Sequence, residues 1–366
     1  MAIDYENTLA YRLHIDLPLL VGLLALSAIG FIVLYSAGGQ NTDLLLRQAV
    51  RLALAFGVMF VLAQIAPGHY QYWAPWIYAV GLFLLVLVLM VGLSGKGAQR
   101  WLDLGIVRFQ PSELLKISVP MMVAYYLAER PLPPTFQRVA IGVFLVLVPT
   151  LMIAKQPDLG TALLVASAGL FVLFLAGVPW RLILGSAAIA VASLPVMMGF
   201  LHEYQRRRVE TFFDPESDPL GSGYHIIQSK IAIGSGGITG KGWLNGTQSQ
   251  LDFLPERSTD FVFAVLSEEF GLLGVLTLLA VYGFVVARGL YIAMHAQESF
   301  GRLLGGGLVM TFFVYVFVNI GMVSGLLPVV GLPLPLVSYG GTSLVTMMAA
   351  FGVLMSVHTH RRLLSE

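Results

Sequence analysis

Ten apolar runs, most of them close to twenty residues long, dominate this sequence and limit what the chain can fold into. A helix needs about 20 mostly apolar residues to cross the hydrocarbon core of a bilayer. Because unpaired backbone groups are costly in lipid, a crossing segment pairs its own backbone as a helix or joins a closed barrel. Runs of this length predict helices, at residues 17–35, 49–65, 73–93, 111–126, 139–154, 160–178, 182–201, 261–287, 303–327 and 336–357.

The composition supports a membrane protein and excludes a soluble one. Of the 366 residues, 57% are hydrophobic and only 11% are charged, whereas soluble domains carry about 25% charged residues. Cysteine is absent, which excludes disulfides and thiolate metal sites. The first run follows acidic residues rather than a basic segment, so we expect a retained span and not a cleaved signal peptide. We therefore predict an all-α, polytopic membrane protein with a single domain at 1–366.

One loop, at about 202–259, is much longer than the others and is polar and rich in glycine. Ten spans place both termini on one side of the membrane. More than half of the 21 Lys and Arg residues then lie on the other side, but nearly half of those belong to the long loop, and long loops weigh little in the positive-inside rule. We therefore predict cytoplasmic termini and an extracytoplasmic long loop. The outer cations suggest an anionic ligand at that face.

The stretch SGKGAQRWLDLGIVRFQPSELLK, at 94–116, leads into the fourth predicted span. Glu113 and Lys116 are three residues apart, so they share one face of that helix. A local ion pair at the start of a capped helix would explain this spacing. Alternatively, Glu113 and Lys116 line a polar cavity, and Lys96 and Arg100 above it bind a phosphate group.

The link KQPDLGT, at 155–161, joins the fifth and sixth predicted spans. Asp158 precedes a helical run, which is the position of an N-cap. It also lies on the predicted side of Glu113, which leaves a role in substrate binding open. Lys155 adds a further cation at this side.

The segment LPVVGLPLPLVSYGGTS, at 327–343, interrupts helicity with three prolines before the last span. Irregular backbone near a membrane is tolerated where it lines a cavity, and Ser338 could then offer its hydroxyl to a polar ligand. An interfacial turn of small packing residues is the alternative.

Two segments of the long loop are candidates for a function of their own. IGSGGITGKG resembles a phosphate loop but does not match that motif. Ser235 stands where the motif requires glycine, and Gly242 follows Lys241 where it requires Ser or Thr. We therefore expect no nucleotide and no nucleic acid as a ligand. YHIIQSKIAI, at 224–233, has apolar residues at helical spacing and predicts a helix on the membrane surface.

The stretch FLPERSTDFVFAVLSEEFG places a carboxylate, Asp260, at the mouth of the eighth span. Charges inside a bilayer are costly and usually functional, whereas a charge at its edge can be an N-cap. Glu268 and Glu269 lie about 12–13 Å further along the helix, too far away to pair with Asp260. The sequence suggests Arg47 and Arg51, on the second span, as their partners.

Four of these motifs together, RFQPSELLK, KQPDLGT, FLPERSTDFVFAVLSEEFG and PLVSYGGTS, resemble the SEDS family (shape, elongation, division and sporulation). The resemblance covers nearly the whole chain and is nearer to the elongation branch than to the division branch. It implies a peptidoglycan glycosyltransferase of the bacterial cytoplasmic membrane that uses lipid II and acts with a class B penicillin-binding protein. It also implies that Asp260 is the essential aspartate and that Glu113, Lys116 and Asp158 line a polar cavity.

The residues agree with this chemistry. Sugar transfer needs a base that takes a proton from the acceptor hydroxyl, and Asp260 at the outer boundary suits that role. The outer cations suit a pyrophosphate, and the apolar flank of the bundle suits a polyprenyl tail among membrane lipids. A divalent cation, Mg²⁺ or Mn²⁺, could neutralise the leaving pyrophosphate, although the sequence shows no ligand cluster for it.

Two further functions remain open at this point, a lipid II flippase and a non-catalytic activator of the penicillin-binding protein. A transporter should concentrate ionisable groups at the midplane, often on broken helices in related halves. Here the polar groups lie toward one face, and we see no paired repeat. An activator does not need Asp260, Glu113 and Lys116 to converge, so we expect these residues to meet at one outward-facing site.

Overall fold

The protein is a helical bundle, seen here in a computed structural model. It describes residues 13–95, 98–103, 108–192, 199, 206, 210–214, 221–251, 253–254 and 256–360. The helices are α1 Leu17–Ala37, α2 Thr42–Ala63, α3 Pro67–Val91, α4 Pro111–Ala128, α5 Phe136–Lys155, α6 Leu159–Leu175, α7 Trp180–Ala192, α8 Ser222–Ser235, α9 Thr247–Gln250, α10 Val262–Met294, α11 Ser299–Val323 and α12 Thr342–Thr359. Three short strands are β1 Leu93–Gly95, β2 Ala98–Asp103 and β3 Arg108–Phe109.

Each of the ten predicted spans overlaps a helix, which confirms the all-α membrane fold. The seventh predicted span continues beyond α7 into residues 193–201, most of which lie outside the described residues. The tenth begins at 336, whereas α12 begins at Thr342. Seven of these helices are long and apolar enough to cross a membrane by themselves. The other three are α4, in which Glu113 and Lys116 interrupt the apolar sequence, and the shorter α6 and α7. The helix predicted at 224–233 is also present, as α8.

A small antiparallel sheet in the third loop is the element that the sequence did not predict. Strand β1 pairs with β2, which in turn pairs with β3. These strands are two to six residues long, and their mixed sequences carry no clear alternation of apolar and polar positions. The sheet places Arg100 of β2 above the start of α4.

Helices α11 and α12 form the centre of the bundle. In each of them, 72% of the most apolar window is buried, against 22% for α2, α5 and α10. Small residues let the neighbours of α11 come close, since a Cβ on Gly307 would lie 2.5 Å from Val172 Cγ2. Two polar side chains of α11, Thr311 and Asn319, are buried among these neighbours.

Helix α10 is broken at Gly271, and the long loop fills the break. The 33 residues of α10 would span about 50 Å as a regular helix, well beyond the hydrocarbon thickness. Gly271 has φ 61° and ψ −159°, a backbone conformation that is open almost only to glycine. Four backbone hydrogen bonds dock the loop on either side of it: Lys241 N to Glu268 O, Gly242 N to Glu269 O, Leu272 N to Gly237 O and Leu273 N to Ile238 O.

At the end of the bundle away from the long loop, Asp16 connects the start of α1 to α10 and α12. Its carboxylate accepts hydrogen bonds from the Leu19 backbone, at 2.9 Å, and from Arg288 Nη2, at 2.6 Å. His358 Nδ1 lies 3.2 Å from the same carboxylate. Burial favours the neutral acid, but the bonds from His358 and Arg288 outweigh it and hold the pKa of Asp16 well below its usual range.

His14 belongs to the same cluster. Its ring stacks on that of His360 at a centroid distance of 3.9 Å, and its Nδ1 lies 3.0 Å from Thr359 Oγ1. Burial, followed by the charge of His360, lowers the pKa of His14 below its ordinary value. The folded protein therefore favours the neutral form of His14.

Gly271→Ala should destabilise the protein and release the docked loop. A Cβ at this position would lie 2.3 Å from Gly240 N, and alanine disfavours the required backbone conformation. Gly283→Ala is the matched control, since it lies in the same helix and its Cβ would meet nothing within 4 Å. The melting temperature in detergent should fall strongly for Gly271→Ala and stay close to that of the parent for Gly283→Ala. Equal melting temperatures for both variants would contradict this role of Gly271.

Acid should destabilise the fold through His14. Its pKa is lower in the folded state, so the unfolded state binds the proton more tightly and gains stability as the pH falls below about 6.5. Asp16 stays ionised through this window. We expect the melting temperature to fall between pH 7.5 and 5.5, and less steeply in His14→Asn than in the parent. A slope in His14→Asn equal to that of the parent would contradict this role of His14.

Candidate active site

Asp260 lies one residue before Phe261, the N-cap of α10, and its main chain is tied to α11. The Asn319 side chain donates from Nδ2 to the Asp260 carbonyl, at 3.0 Å, and to the Leu332 carbonyl, at 2.6 Å. The carboxylate faces the backbone next to Leu332, because a Cβ on Gly331 would lie 3.4 Å from Asp260 Oδ2. Asp260 is therefore enclosed between α11 and the segment that follows it.

The two residues before Asp260 are tied to the same segment. The Tyr339 N–H donates to the Ser258 carbonyl at 2.8 Å, and the Ser338 hydroxyl donates to the Thr259 carbonyl. Ser338 also accepts from the Leu334 N–H at 2.7 Å. Three consecutive carbonyls, at 258 to 260, thus accept hydrogen bonds from α11 and from residues 338–339. We call this arrangement the carbonyl bracket.

Glu113 and Lys116 form a buried ion pair on α4. Lys116 Nζ lies 2.7 Å from Glu113 Oε1, and the two residues are 3% and 5% exposed, respectively. The Tyr315 hydroxyl of α11 lies 3.4 Å from the same nitrogen, and the Tyr315 ring centroid lies 5.0 Å from it. Because a buried charge needs partners, Tyr315 completes the environment of Lys116.

Asp158 is the N-cap of α6, as its position in the sequence predicts. Its Oδ1 accepts from the Thr161 N–H at 3.3 Å. Its Oδ2 accepts from Gln110 Nε2 at 3.0 Å and lies 3.7 Å from Arg100 Nε. Arg100 also donates to the Pro157 carbonyl. Capping and ion pairing therefore occur together at Asp158.

Two structural elements connect these groups. Tyr315 and Asn319 are one helical turn apart on α11, so the Lys116 environment and the carbonyl bracket share one helix face. On the other side, a Cβ on Gly160 would lie 3.1 Å from the Val330 carbonyl, so the start of α6 packs on the segment that encloses Asp260. Glu113, Lys116, Asp158 and Asp260 thus belong to segments that pack against α11 or residues 329–339.

The remaining predicted ligands have different surroundings. Lys155 is exposed in the last turn of α5, where a cation complements the helix dipole. The Ser338 hydroxyl is engaged in the carbonyl bracket. Lys96 lies outside the described residues.

The predicted partners of Glu268 and Glu269 are wrong. Glu268 pairs with Lys241 at 2.7 Å, and Glu269 accepts from the Ser36 hydroxyl. Their partners come from the long loop and α1 because the break in α10 brings that loop against them. Arg51 instead lies 4.5 Å above the Tyr339 ring, beside the carbonyl bracket.

Tyr315 and Asn319 are the site residues that the sequence did not single out. A buried Asn and a buried Tyr four residues apart in an apolar helix were the available signal, since polar groups within a span usually have a function. Their partners lie on α4, before α10 and after α11, so the sequence alone could not supply the contacts.

The described residues offer limited room and no obvious metal ligands at the site. A small cavity of about 20 Å³ is lined by Tyr315, Ser338, Gly340, Ser343 and Met347 among others. Among the described residues, no three His, Asp or Glu side chains cluster closely enough to hold a metal ion.

Glu113→Gln should destabilise the protein because it leaves the buried Lys116 charge unpaired. Breaking such a pair typically costs about 3–5 kcal/mol, while replacing both partners is much milder. We therefore expect Glu113→Gln/Lys116→Met to melt at a higher temperature than Glu113→Gln alone. Lys155→Met, at an exposed lysine, should melt like the parent. A double variant that melts below the single variant would contradict the pairing.

The similarity to known proteins extends over nearly the whole chain. A family model for cell cycle proteins of the FtsW, RodA and SpoVE type matches residues 10–363. The chain is 57% identical over 362 residues to the peptidoglycan glycosyltransferase MrdB of Escherichia coli strain K12, with 99% of this chain and 98% of that protein covered. It is 38% identical over 358 residues to the probable peptidoglycan glycosyltransferase FtsW of Geobacter sulfurreducens strain DL-1 / KN400, with 94% and 95% covered.

Solved structures agree with this assignment. A chain from a peptidoglycan synthase complex that coordinates polymerization and crosslinking has a TM-score of 0.81 and 38% identity, with 95% of this chain and 99% of that chain covered. The rod shape determining protein RodA of Thermus thermophilus has a TM-score of 0.71 and 33% identity, with 94% and 96% covered. The resemblance indicated by the motifs is thus confirmed, and the chain belongs to the FtsW, RodA and SpoVE family of cell cycle proteins.

Proposed function

We propose that this chain is a peptidoglycan glycosyltransferase that polymerises lipid II during cell elongation, with Asp260 as the general base. The similarity to MrdB over 99% of the chain supports the activity. The observation that carries the role of Asp260 is the carbonyl bracket, which fixes the main chain of this partly exposed residue. A base with a fixed position is what proton transfer requires.

The reaction forms one glycosidic bond and breaks one bond between a sugar and a phosphate. The acceptor hydroxyl attacks the anomeric carbon of the donor, its proton passes to Asp260, and polyprenyl pyrophosphate leaves with the bonding electrons. Arg100 and Lys116 are the cations that we assign to binding the pyrophosphate, and Lys96 and Lys155 are further candidates for the same role. Fixed cations favour the leaving group because negative charge develops on it in the transition state.

The membrane placement follows from the same proposal. Several helices long enough to cross a membrane make this a multi-pass membrane protein. We place it in the bacterial cytoplasmic membrane, with both termini in the cytoplasm and Asp260 facing the periplasm or cell exterior. The cluster of Asp16, Arg288 and His358 would then lie at the cytoplasmic end, and the polyprenyl tail would stay among the membrane lipids.

The proposed partner is a class B penicillin-binding protein. A similar chain belongs to a complex that coordinates polymerization and crosslinking, and a transpeptidase would crosslink the strands made here. A divalent cation at the pyrophosphate, Mg²⁺ or Mn²⁺, remains a proposal. Since the described residues show no cluster of three metal-binding side chains, we derive no step through a metal.

One observation favours a second candidate, a lipid II flippase. Transporters often bind their substrates at broken helices, and α10 is broken at Gly271. Here, however, the long loop fills the break with four backbone hydrogen bonds. Two alternatives to glycan synthesis in elongation remain. The chain could act only in cell division, or it could only activate a partner enzyme.

Asp260→Asn should abolish glycan polymerisation while the protein stays folded. Asparagine keeps the size of the side chain but cannot take a proton, and loss of a general base typically costs about 10²–10⁴-fold in rate. The measurement is turnover of labelled lipid II by the purified protein, with and without a class B penicillin-binding protein, together with the melting temperature.

Asp43→Asn is the matched control, since Asp43 is an exposed aspartate in the first turn of α2. It should keep the turnover of the parent. Near-normal turnover by Asp260→Asn would refute the catalytic role. A parent protein that makes no glycan but moves labelled lipid II across vesicle membranes would favour the flippase.

A further inference from the structure

Asn319 is fully buried on α11, at 0% exposure, and uses its side chain to join two distant segments. A carboxamide has two N–H donors and one acceptor oxygen. The Nδ2 group of Asn319 contacts the carbonyls of Asp260, at 3.0 Å, and of Leu332, at 2.6 Å. Because both contacts are acceptors, they fix which end of the amide is nitrogen.

These two acceptors belong to the two segments that meet at the Asp260 carboxylate. The first belongs to the residue that carries the carboxylate. The second follows Gly331, where a Cβ would lie 3.4 Å from Asp260 Oδ2. One buried amide therefore fixes both the main chain that bears the carboxylate and the main chain that the carboxylate faces.

We propose that Asn319 is a positioning residue that sets the location of the Asp260 carboxylate for proton transfer. This inference rests on the proposed function of Asp260. Other bonds of the carbonyl bracket fix residues 258 and 259, whereas Asn319 holds the residue that carries the proposed base. A base must approach its proton to about 2.6–3.2 Å, and a misplacement of 1 Å can cost about 10²-fold in rate.

The chemistry of the site explains why asparagine is needed there. Leucine has a similar size but donates no hydrogen bond, and it would remove one donor from each of two carbonyls in a buried environment. Ionised aspartate would only accept hydrogen bonds, and it would face two carbonyl oxygens. Serine could donate to one carbonyl at most.

The test compares Asn319→Leu with a control on the same helix. Thr311 is also buried, and its hydroxyl bonds only one turn back, to the Gly307 carbonyl at 2.7 Å. Thr311→Val therefore removes a buried hydrogen bond of α11 without touching the site. Full-length parent and variants are assayed in nanodiscs for kcat on lipid II, for the Kd of lipid II and for the melting temperature.

The relative position of the two segments that Asn319 joins is measured separately from activity. The chain contains no cysteine, so Glu256→Cys and Leu326→Cys introduce two unique, exposed sites for spin labels. The distance distribution between the labels reports how the segment before α10 lies relative to the one after α11. It is recorded in the background of the parent, Asn319→Leu and Thr311→Val.

In Asn319→Leu we expect a broadened or shifted distance distribution and a fall in kcat of about 10²-fold. The Kd of lipid II should stay within about twofold, because a positioning role affects the transition state more than binding. Thr311→Val should match the parent in the distance distribution, in kcat and in the Kd of lipid II. If Asn319→Leu does not fold, Asn319→Ser is judged by the same criteria.

An unchanged distance distribution overturns the proposal, and so does a kcat within about threefold of the parent. Loss of lipid II binding in proportion to turnover also overturns it, since that would be a binding role. A parent that polymerises nothing refutes the proposed function instead, and the spin-label distances then still decide whether Asn319 fixes the two segments.

Discussion

Irregular backbone at the end of a membrane bundle must find hydrogen-bond partners inside the protein, and the outer end of this bundle is built around that requirement. Residues 256–261 and 327–341 are both irregular, and each supplies partners to the other. The Tyr339 N–H and the Ser338 hydroxyl serve the carbonyls of Ser258 and Thr259. Asn319 serves the third carbonyl from α11. The main chain of the candidate base is thus held from α11, and the main chain of the two residues before it is held from the segment that follows α11.

Buried charge imposes the second constraint. Lys116, Glu268 and Asp16 are each buried with an oppositely charged partner within 2.7 Å. These pairs divide the work. The Lys116 pair belongs to the candidate site, the Glu268 pair holds the long loop against α10, and the Asp16 pair connects helices at the opposite end of the bundle. Only 11% of the residues are charged, and several of these stabilise contacts between helices and loops inside the protein.

The sequence predicted the helices well because apolar length is a local property. It also predicted the cap at Asp158 and the pair of Glu113 with Lys116, which depend on residues three positions apart. It failed where contacts join distant parts of the chain. Glu268 and Glu269 were given partners on α2 by charge alone, whereas the break at Gly271 brings the long loop to them. The roles of Tyr315 and Asn319, like the small sheet, required the tertiary structure.

The contact between Lys116 and Tyr315 has a consequence for how the protein is made. The two residues are 199 positions apart, so at a synthesis rate of about 5–20 residues per second roughly 10–40 s separate their appearance. Throughout that interval α4 exists without the aromatic ring that completes the surroundings of its lysine. Glu113 lies on the same helix three residues before Lys116, so their ion pair needs no other part of the chain. The local ion pair therefore serves the nascent chain first, by making α4 acceptable to the membrane, and the finished site only later.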